Sequence, residues 1–223
     1  MISEPHFYPV DREAIVQLLS ICERRHFEPK QVVMHPGDEG ATLFYVIDGS
    51  LSISTEDEEG RELILTYVNP GDFLGELGLF MKPREREVMV RTRSICQLAE
   101  VHYDRLRHAL DNELREHALA IMTAIGSKLA YRLLQTRRKV LQLAFLDTQG
   151  RVAKAIMDLC DEPDAVSHPD GTVIRITRQE LSRIVGCSRE MAGRVMKALE
   201  EDGMLKASGK TIVVLGKYKG VAV

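Results

Sequence analysis

The stretch TRQELSRIVGCSREMAGRVMKALEEDG, residues 177–203, constrains the fold more tightly than any other part of the chain. Thr177 and Glu180 have the T-x-x-E spacing of a capping box, which starts a helix at Arg178. Leu181, Ile184 and Val185 give that helix one apolar face. Gly186 ends it, because glycine enters the left-handed conformation of a tight turn without a Cβ clash. Ser188 then caps a second helix. Ala192, Val195 and Leu199 face inward on it, and Glu190, Arg194 and Lys197 face outward. Ser188 and Arg189 stand at its leading end, and Gly193 leaves the outer face low. Two helices joined by a glycine turn make a helix-turn-helix. LKASGKTIVVL follows and reads as a hairpin turning at Ser208–Gly209, so the whole narrows to a winged helix.

The charge on this segment departs from the chain's average. The 223 residues carry a formal net charge of −3, so bulk charge does not announce a nucleic-acid partner and local clustering must. From Gly171 to Lys197 there are six cations (Arg175, Arg178, Arg183, Arg189, Arg194, Lys197) against two acids (Glu180, Glu190). Arginine can bind guanine O6 and N7 with both arms of its fork, and glutamate can accept from cytosine N4. The plainer alternative is an ordinary helix pair with salt-bridged outer residues, since Glu190 and Arg194 are four apart and can pair.

Upstream the texture changes twice. From about Gln31 to Val101 short apolar runs (TLFYVI, SLSIS, ELILTYV) alternate with turn signals: PGD at 36–38, DG at 48–49, EEG at 58–60 and PGD again at 70–72. That pattern predicts an antiparallel sandwich or barrel, and the two PGD turns echo each other as in a roll folding back on itself. A short helix precedes it, capped by Asp11, with Ile15, Leu18, Leu19 and Cys22 on one face. One long helix, about Glu113 to Leu146, follows the strands. Met122, Ile125, Leu129, Leu133, Val140 and Ala144 form a narrow stripe on it that reads as a homodimer seam. Lys128, Arg132, Arg137, Arg138 and Lys139 make an acid-free cationic run, either a solvated face or an attractor for an anionic ligand. After the hinge, Arg151 to Leu159 is an amphipathic helix, Pro163, Pro169 and Gly171 mark a loop, and TVIRI is a short strand.

Several classes are excluded or disfavoured. Cys22, Cys96, Cys160 and Cys187 stand alone, without the C-x-x-C spacing of a zinc or iron–sulfur site, so no metal is expected. The acidic, polar start MISEPHFYPVDRE does not read as a signal peptide, and no apolar run approaches a membrane span, so the chain is expected in the cytoplasm and away from membranes. The seven histidines include no H-x-H pair of a metal-binding cupin, and G-x-S-x-G and P-loop motifs are absent, so no catalytic residues are expected. A haem sensor on the same scaffold stays open to a visible spectrum.

IVGCSREMAGRV followed by GKTIVVLG resembles the C-terminal domain of the catabolite activator (CRP/FNR) family, PGDFLGELGLF resembles its cyclic-nucleotide pocket, and FLDTQGRVA its hinge. The resemblance runs from about Leu18 to Gly216 and is strongest to the Vfr and Clp branch. It implies an α+β fold: an antiparallel β-roll (a cyclic-nucleotide-binding jelly roll) over residues 1–112, a dimerisation helix and hinge over 113–146, and a winged helix-turn-helix over 147–223. It implies a homodimer joined through that helix, reading a TGTGA-N6-TCACA-like palindrome in double-stranded DNA. Arg189, Glu190 and Arg194 would read bases, with Lys197 beside them; Arg178, Gln179, Ser188 and Lys210 would hold phosphates. The loop DEPDAVSHPDG resembles the surface that meets RNA polymerase, which nominates Ser167, His168 and Gly171.

The same resemblance nominates Gly75, Glu76, Leu77, Arg86, Arg132 and Thr136 for a nucleotide, with Glu76 on a ribose hydroxyl and Arg86 on the phosphate. Two positions depart from the family pattern: Glu87 stands in place of a serine beside the phosphate, and Arg137 in place of a second hydroxyl on the helix. A carboxylate 4 Å from a phosphate costs about 4 kcal/mol at an effective dielectric of 20, unless Arg84, Arg91 or Arg93 draws it aside. The glutamate resembles that of Clp-type regulators, so the expected effector is cyclic di-GMP. Cyclic AMP and a pocket without any ligand are the alternatives, and no covalently bound cofactor is expected.

Overall fold

The computed structural model describes residues 9–81 and 85–215. The N-terminal stretch MISEPHFY, Arg84 and the terminal Gly216 of GKTIVVLG lie outside the described residues. Two compact units emerge: residues 1–55 with 66–136, and residues 56–65 with 137–223. The long helix contributes to both units, and the hairpin tip 56–65 counts with the second.

In the first unit, helix α1 (Arg12–Ser20) starts where Asp11 accepts a hydrogen bond from the Ala14 amide at 3.1 Å. Two four-stranded antiparallel sheets follow. One has the order β1 (Glu23–Phe27), β8 (Cys96–His102), β3 (Thr42–Asp48), β6 (Phe73–Leu74). The other has the order β2 (Val32–Met34), β7 (Met89–Thr92), β4 (Leu51–Glu56), β5 (Glu62–Val68). Their inward residues, among them Val46, Leu51, Val90 and Leu98, make one core. The roll therefore begins at Glu23 rather than Gln31. ERRHF is mostly charged and exposed, as suits an edge strand paired on one side to β8, and such a strand carries no apolar alternation to find it by.

A second core joins Leu43, Phe73 and Val101 of the roll to α1, to helix α3 (Tyr103–Asp111) and to the front of helix α4 (Ala118–Phe145). Helix α4 starts at Ala118, later than expected, because a 3-10 turn occupies Arg115–His117. Its stripe also divides. Ile121, Ala124 and Ile125 are buried in the chain's own core, so Ile125 is no seam residue. Leu133 is 70% exposed, Val140 58% and Phe145 79%.

In the second unit, helix α5 (Thr148–Leu159) is capped by Asp147. A sheet of order β11 (Leu205–Ser208), β12 (Thr211–Leu215), β10 (Gly171–Arg175), β9 (Val166–His168) flanks helices α6 (Arg178–Val185) and α7 (Arg189–Glu201). The segment expected as a loop between Pro163 and Gly171 contains β9, whose three residues are all exposed and so show no burial pattern. The wing turn comprises Gly209 and Lys210, one residue later than expected, with Ser208 paired to Thr211. Among the described residues no helix is long and apolar enough to cross a membrane.

Candidate nucleotide pocket and DNA-binding face

The first PGD turn anchors one side of the pocket cluster. Gly37 N–H donates to the Arg86 carbonyl, and Arg86 N–H donates to the Asp38 carbonyl, each at 2.8 Å. The Arg86 guanidinium then donates to the Thr42 carbonyl at 2.6 Å and to the Tyr103 hydroxyl at 3.2 Å. That hydroxyl donates in turn to the Gly75 carbonyl. Gly75 has φ +80°, and a Cβ there would meet the Thr42 carbonyl and come within 2.8 Å of Arg86 Nη1. Both the conformation and the crowding require glycine.

The second PGD turn anchors the other side, to α4. Asp72 pairs with Lys128 at 2.7 Å, and Glu76 pairs with Arg132. Arg132 also donates to the Phe73 carbonyl at 2.9 Å. Lys128 and Arg132 are one helical turn apart, as are the acids in sequence spacing, so helix and loop are stitched by two successive pairs. The Glu76 side chain is 4% exposed. Burial raises its pKa, with the Arg132 charge acting in the opposite direction.

Of the residues nominated for a nucleotide, the fold brings Gly75, Glu76, Arg86 and Arg132 together. Thr136 lies one turn beyond Arg132 and donates to its carbonyl at 2.9 Å. Leu77 is 56% exposed at the start of the short helix α2 (Leu77–Phe80). Arg137 is exposed and belongs to the second unit. Glu87 is exposed, and two of the arginines invoked to restrain it are engaged elsewhere: Arg91 contacts the Met89 sulfur at 3.2 Å, and Arg93 lies 3.8 Å over the Tyr67 ring. Because Glu87 is exposed, its side chain can turn toward water, which eases the expected repulsion of a phosphate. Tyr103 and Asp72 are functional neighbours that sequence reasoning missed. The second PGD turn was a signal for Asp72; Tyr103 gave none.

The DNA-binding face is built locally. The Thr177 hydroxyl accepts from the Glu180 amide at 3.0 Å and starts α6. Gly186 closes it with φ +70°, the left-handed turn expected. The Ser188 hydroxyl accepts from the Met191 amide at 3.1 Å and starts α7. Ala192, Val195, Met196 and Leu199 are buried, leaving Arg189, Glu190, Arg194 and Lys197 exposed. A concavity of about 870 Å³ runs between α7 and β11, and Arg178, Ser188, Arg189, Glu190, Arg194 and Lys197 line it. Gln179 and Lys210 are exposed, on α6 and at the wing turn.

Three details revise the expected face. Among the described residues Glu190 and Arg194 form no ion pair, although Lys197 and Glu201, at the same spacing on α7, do. Gly193 does not leave bare surface, because the Arg178 side chain lies across it, 3.5 Å from where a Cβ would be. Arg183 is matched to Glu62 at 3.0 Å, which reduces the segment's free positive charge. Ser167 and His168 are exposed on β9, and Gly171 begins β10. Among the described residues no group of three His, Cys, Asp or Glu could hold a metal.

Two domain families match the chain: the cyclic nucleotide-binding domain over residues 24–113 and the Crp-like helix-turn-helix domain over residues 150–217. The chain is 49% identical over 207 residues to the CRP-like protein Clp of Xanthomonas euvesicatoria pv. vesicatoria, covering 93% of this chain and 90% of the relative. Its structure is similar to that of the c-di-GMP responsive global regulator CLP of Xanthomonas campestris, with a TM-score of 0.88 and 49% identity over 92% of this chain and 100% of that one. A CRP/FNR-family transcriptional regulator from Thermus thermophilus aligns with a TM-score of 0.73 and 26% identity, over 86% of this chain and 93% of that one.

Proposed function

From the premise that this chain belongs to the CRP/FNR family of DNA-binding transcription regulators, we propose that it acts as a cytoplasmic homodimer on a TGTGA-N6-TCACA-like palindrome under the control of cyclic di-GMP. The observation that carries the DNA reading is the exposed leading end of α7, where Arg189, Glu190 and Arg194 stand free of ion pairs among the described residues. Arg189 and Arg194 suit guanine edges and Glu190 suits cytosine N4 in the major groove, while Arg178, Gln179, Ser188 and Lys210 hold phosphates on either side. Lys197 adds charge next to them. Two such faces read the two half-sites about one helical turn apart. The exposed Leu133, Val140 and Phe145 of α4 supply the dimer seam. Ser167, His168 and Gly171 offer a separate contact to RNA polymerase.

The effector reading rests on the pocket. A ribose hydroxyl that seeks Glu76 has to displace Arg132, and a phosphate that seeks Arg86 has to compete with Thr42 and Tyr103. Cyclic AMP supplies one phosphate and one ribose for those exchanges. Cyclic di-GMP supplies two of each and two guanines, which Arg132 and Arg137 can bind as well as phosphate. The c-di-GMP responsive relative of 49% identity supports the same choice. A second reading, cyclic AMP as effector, is favoured by the exposure of Glu87, which leaves only weak repulsion at that position.

Fluorescence anisotropy of a labelled TGTGA-N6-TCACA duplex against a scrambled duplex tests the DNA reading. The palindrome is expected to bind at least 10³-fold more tightly at one fixed salt concentration. Equal affinity for both duplexes would sink it.

A further inference from the structure

Glu200 is an acid on a surface made to meet an acid. It borders the same concavity as Arg194 and Lys197 and is exposed there, so by charge alone it opposes a DNA backbone. Its neighbour Glu201 has a plain partner, Lys197 at 3.6 Å. Glu200 points elsewhere: its Oε1 accepts from the Ala207 amide at 2.9 Å. Ala207 lies on β11, the edge strand of its sheet, whose outward amides have no strand to donate to. Glu200 supplies the missing acceptor and so ties α7 to the wing.

The wing has further fastenings. Lys206 of β11 pairs with Asp170 at 3.3 Å, at the β9–β10 turn. The Lys210 carbonyl accepts from the Ile176 amide at 2.9 Å, next to Thr177, the cap of α6. Lys210 therefore stands on a hairpin referenced to the start of α6 through its own backbone and to α7 through Glu200. We propose that Glu200 is a positioning residue for DNA binding: it sets the wing against α7 so that Lys210 reaches a phosphate while α7 lies in the groove. It touches no DNA itself.

The proposal rests on the DNA reading above, and its test separates the two. Anisotropy on the palindromic duplex is measured over a salt series for the full chain, for Glu200→Ala, Glu200→Gln and Lys210→Ala, and for the Glu200→Ala, Lys210→Ala double variant, each with a thermal melt to confirm folding. Glu200→Ala removes a negative charge yet is expected to weaken binding about five-fold per half-site, the scale of one lost hydrogen bond. The log–log salt slope should become shallower by about 0.9 per half-site, one phosphate contact. Glu200→Gln keeps the acceptor and should keep the wild-type slope. In the Lys210→Ala background Glu200→Ala should cost nothing more. Tighter binding by Glu200→Ala, or an equal cost with and without Lys210, would overturn the proposal. Wild-type protein that does not prefer the palindrome would overturn the DNA reading as well.

Discussion

Arg132 and Arg194 are both helix-borne arginines in cationic stretches of the chain, yet they have opposite surroundings. The Arg132 side chain is 25% exposed and is shared between Glu76 and the Phe73 carbonyl. Arg194 is exposed and has no ion pair among the described residues. The difference separates two ways of preparing a charged side chain for a partner. In the pocket, Glu76 and Arg132 are matched to each other and Arg86 is hydrogen-bonded to the Thr42 carbonyl and the Tyr103 hydroxyl, so a ligand has to replace existing interactions. At the leading end of α7, Arg189, Glu190 and Arg194 are exposed to water, which costs little in the free protein and leaves their hydrogen-bonding groups for DNA. A pocket of the first sort discriminates by what the ligand offers in exchange. A face of the second sort discriminates by geometry alone.

Breaking the matched pair should have the largest effect on folding. Arg132→Ala leaves Glu76 buried without its counter-charge and is expected to cost about 3 kcal/mol by urea unfolding at pH 7. Glu76→Gln in the same background should recover most of that loss. A cost below about 0.5 kcal/mol would place Arg132 with the exposed arginines. The converse change on the other surface, Arg194→Ala, should leave unfolding within about 0.5 kcal/mol of wild type. It should reduce palindrome affinity by about 1–3 kcal/mol, roughly five- to more than a hundred-fold, with the loss concentrated at one base pair of each half-site.

Ser188→Ala sharpens the contrast differently. It removes the cap of α7 and is expected to cost about 1 kcal/mol of stability, as well as one phosphate donor. An unchanged melt would mean that α7 is held by packing alone. A pH-dependent effect concerns Lys139, whose ammonium donates to the Ile64 carbonyl and whose pKa burial lowers to about 8, with Asp158 acting the other way. Between that value and the ordinary lysine value the unfolded chain binds one more proton than the folded one, so stability rises with pH through this window. Lys139→Met should therefore stabilise at pH 7, and its advantage should shrink towards pH 10 in melts at matched ionic strength. A pH-independent difference would contradict the burial argument.

Much of the DNA-binding unit was legible in the residues because its signals are local. Thr177, Gly186 and Ser188 each act within three or four positions of themselves, and each appears in the structure as read. Side-chain partners across the fold were not legible. Lys128 and Arg132 lie 56 positions from Asp72 and Glu76, and only packing of α4 on the roll reveals that two of the five cations in the run are paired with acids. Edge strands β1 and β9 were missed for one reason: exposed on most or all of their length, they are held by backbone hydrogen bonds and show no apolar alternation. The apolar stripe of α4 was right in period and wrong in partner at Ile125. A core contact and an intersubunit contact leave the same spacing in a sequence.

The contrast between a matched pocket and an open DNA face is tested most directly by one anisotropy series on the TGTGA-N6-TCACA duplex. Salt is held fixed, and ligand-free protein is compared with protein in saturating cyclic AMP and in saturating cyclic di-GMP. That contrast predicts tight binding by the free protein, no change with cyclic AMP and a clear change with cyclic di-GMP. Tight binding that appears only with cyclic AMP would contradict it.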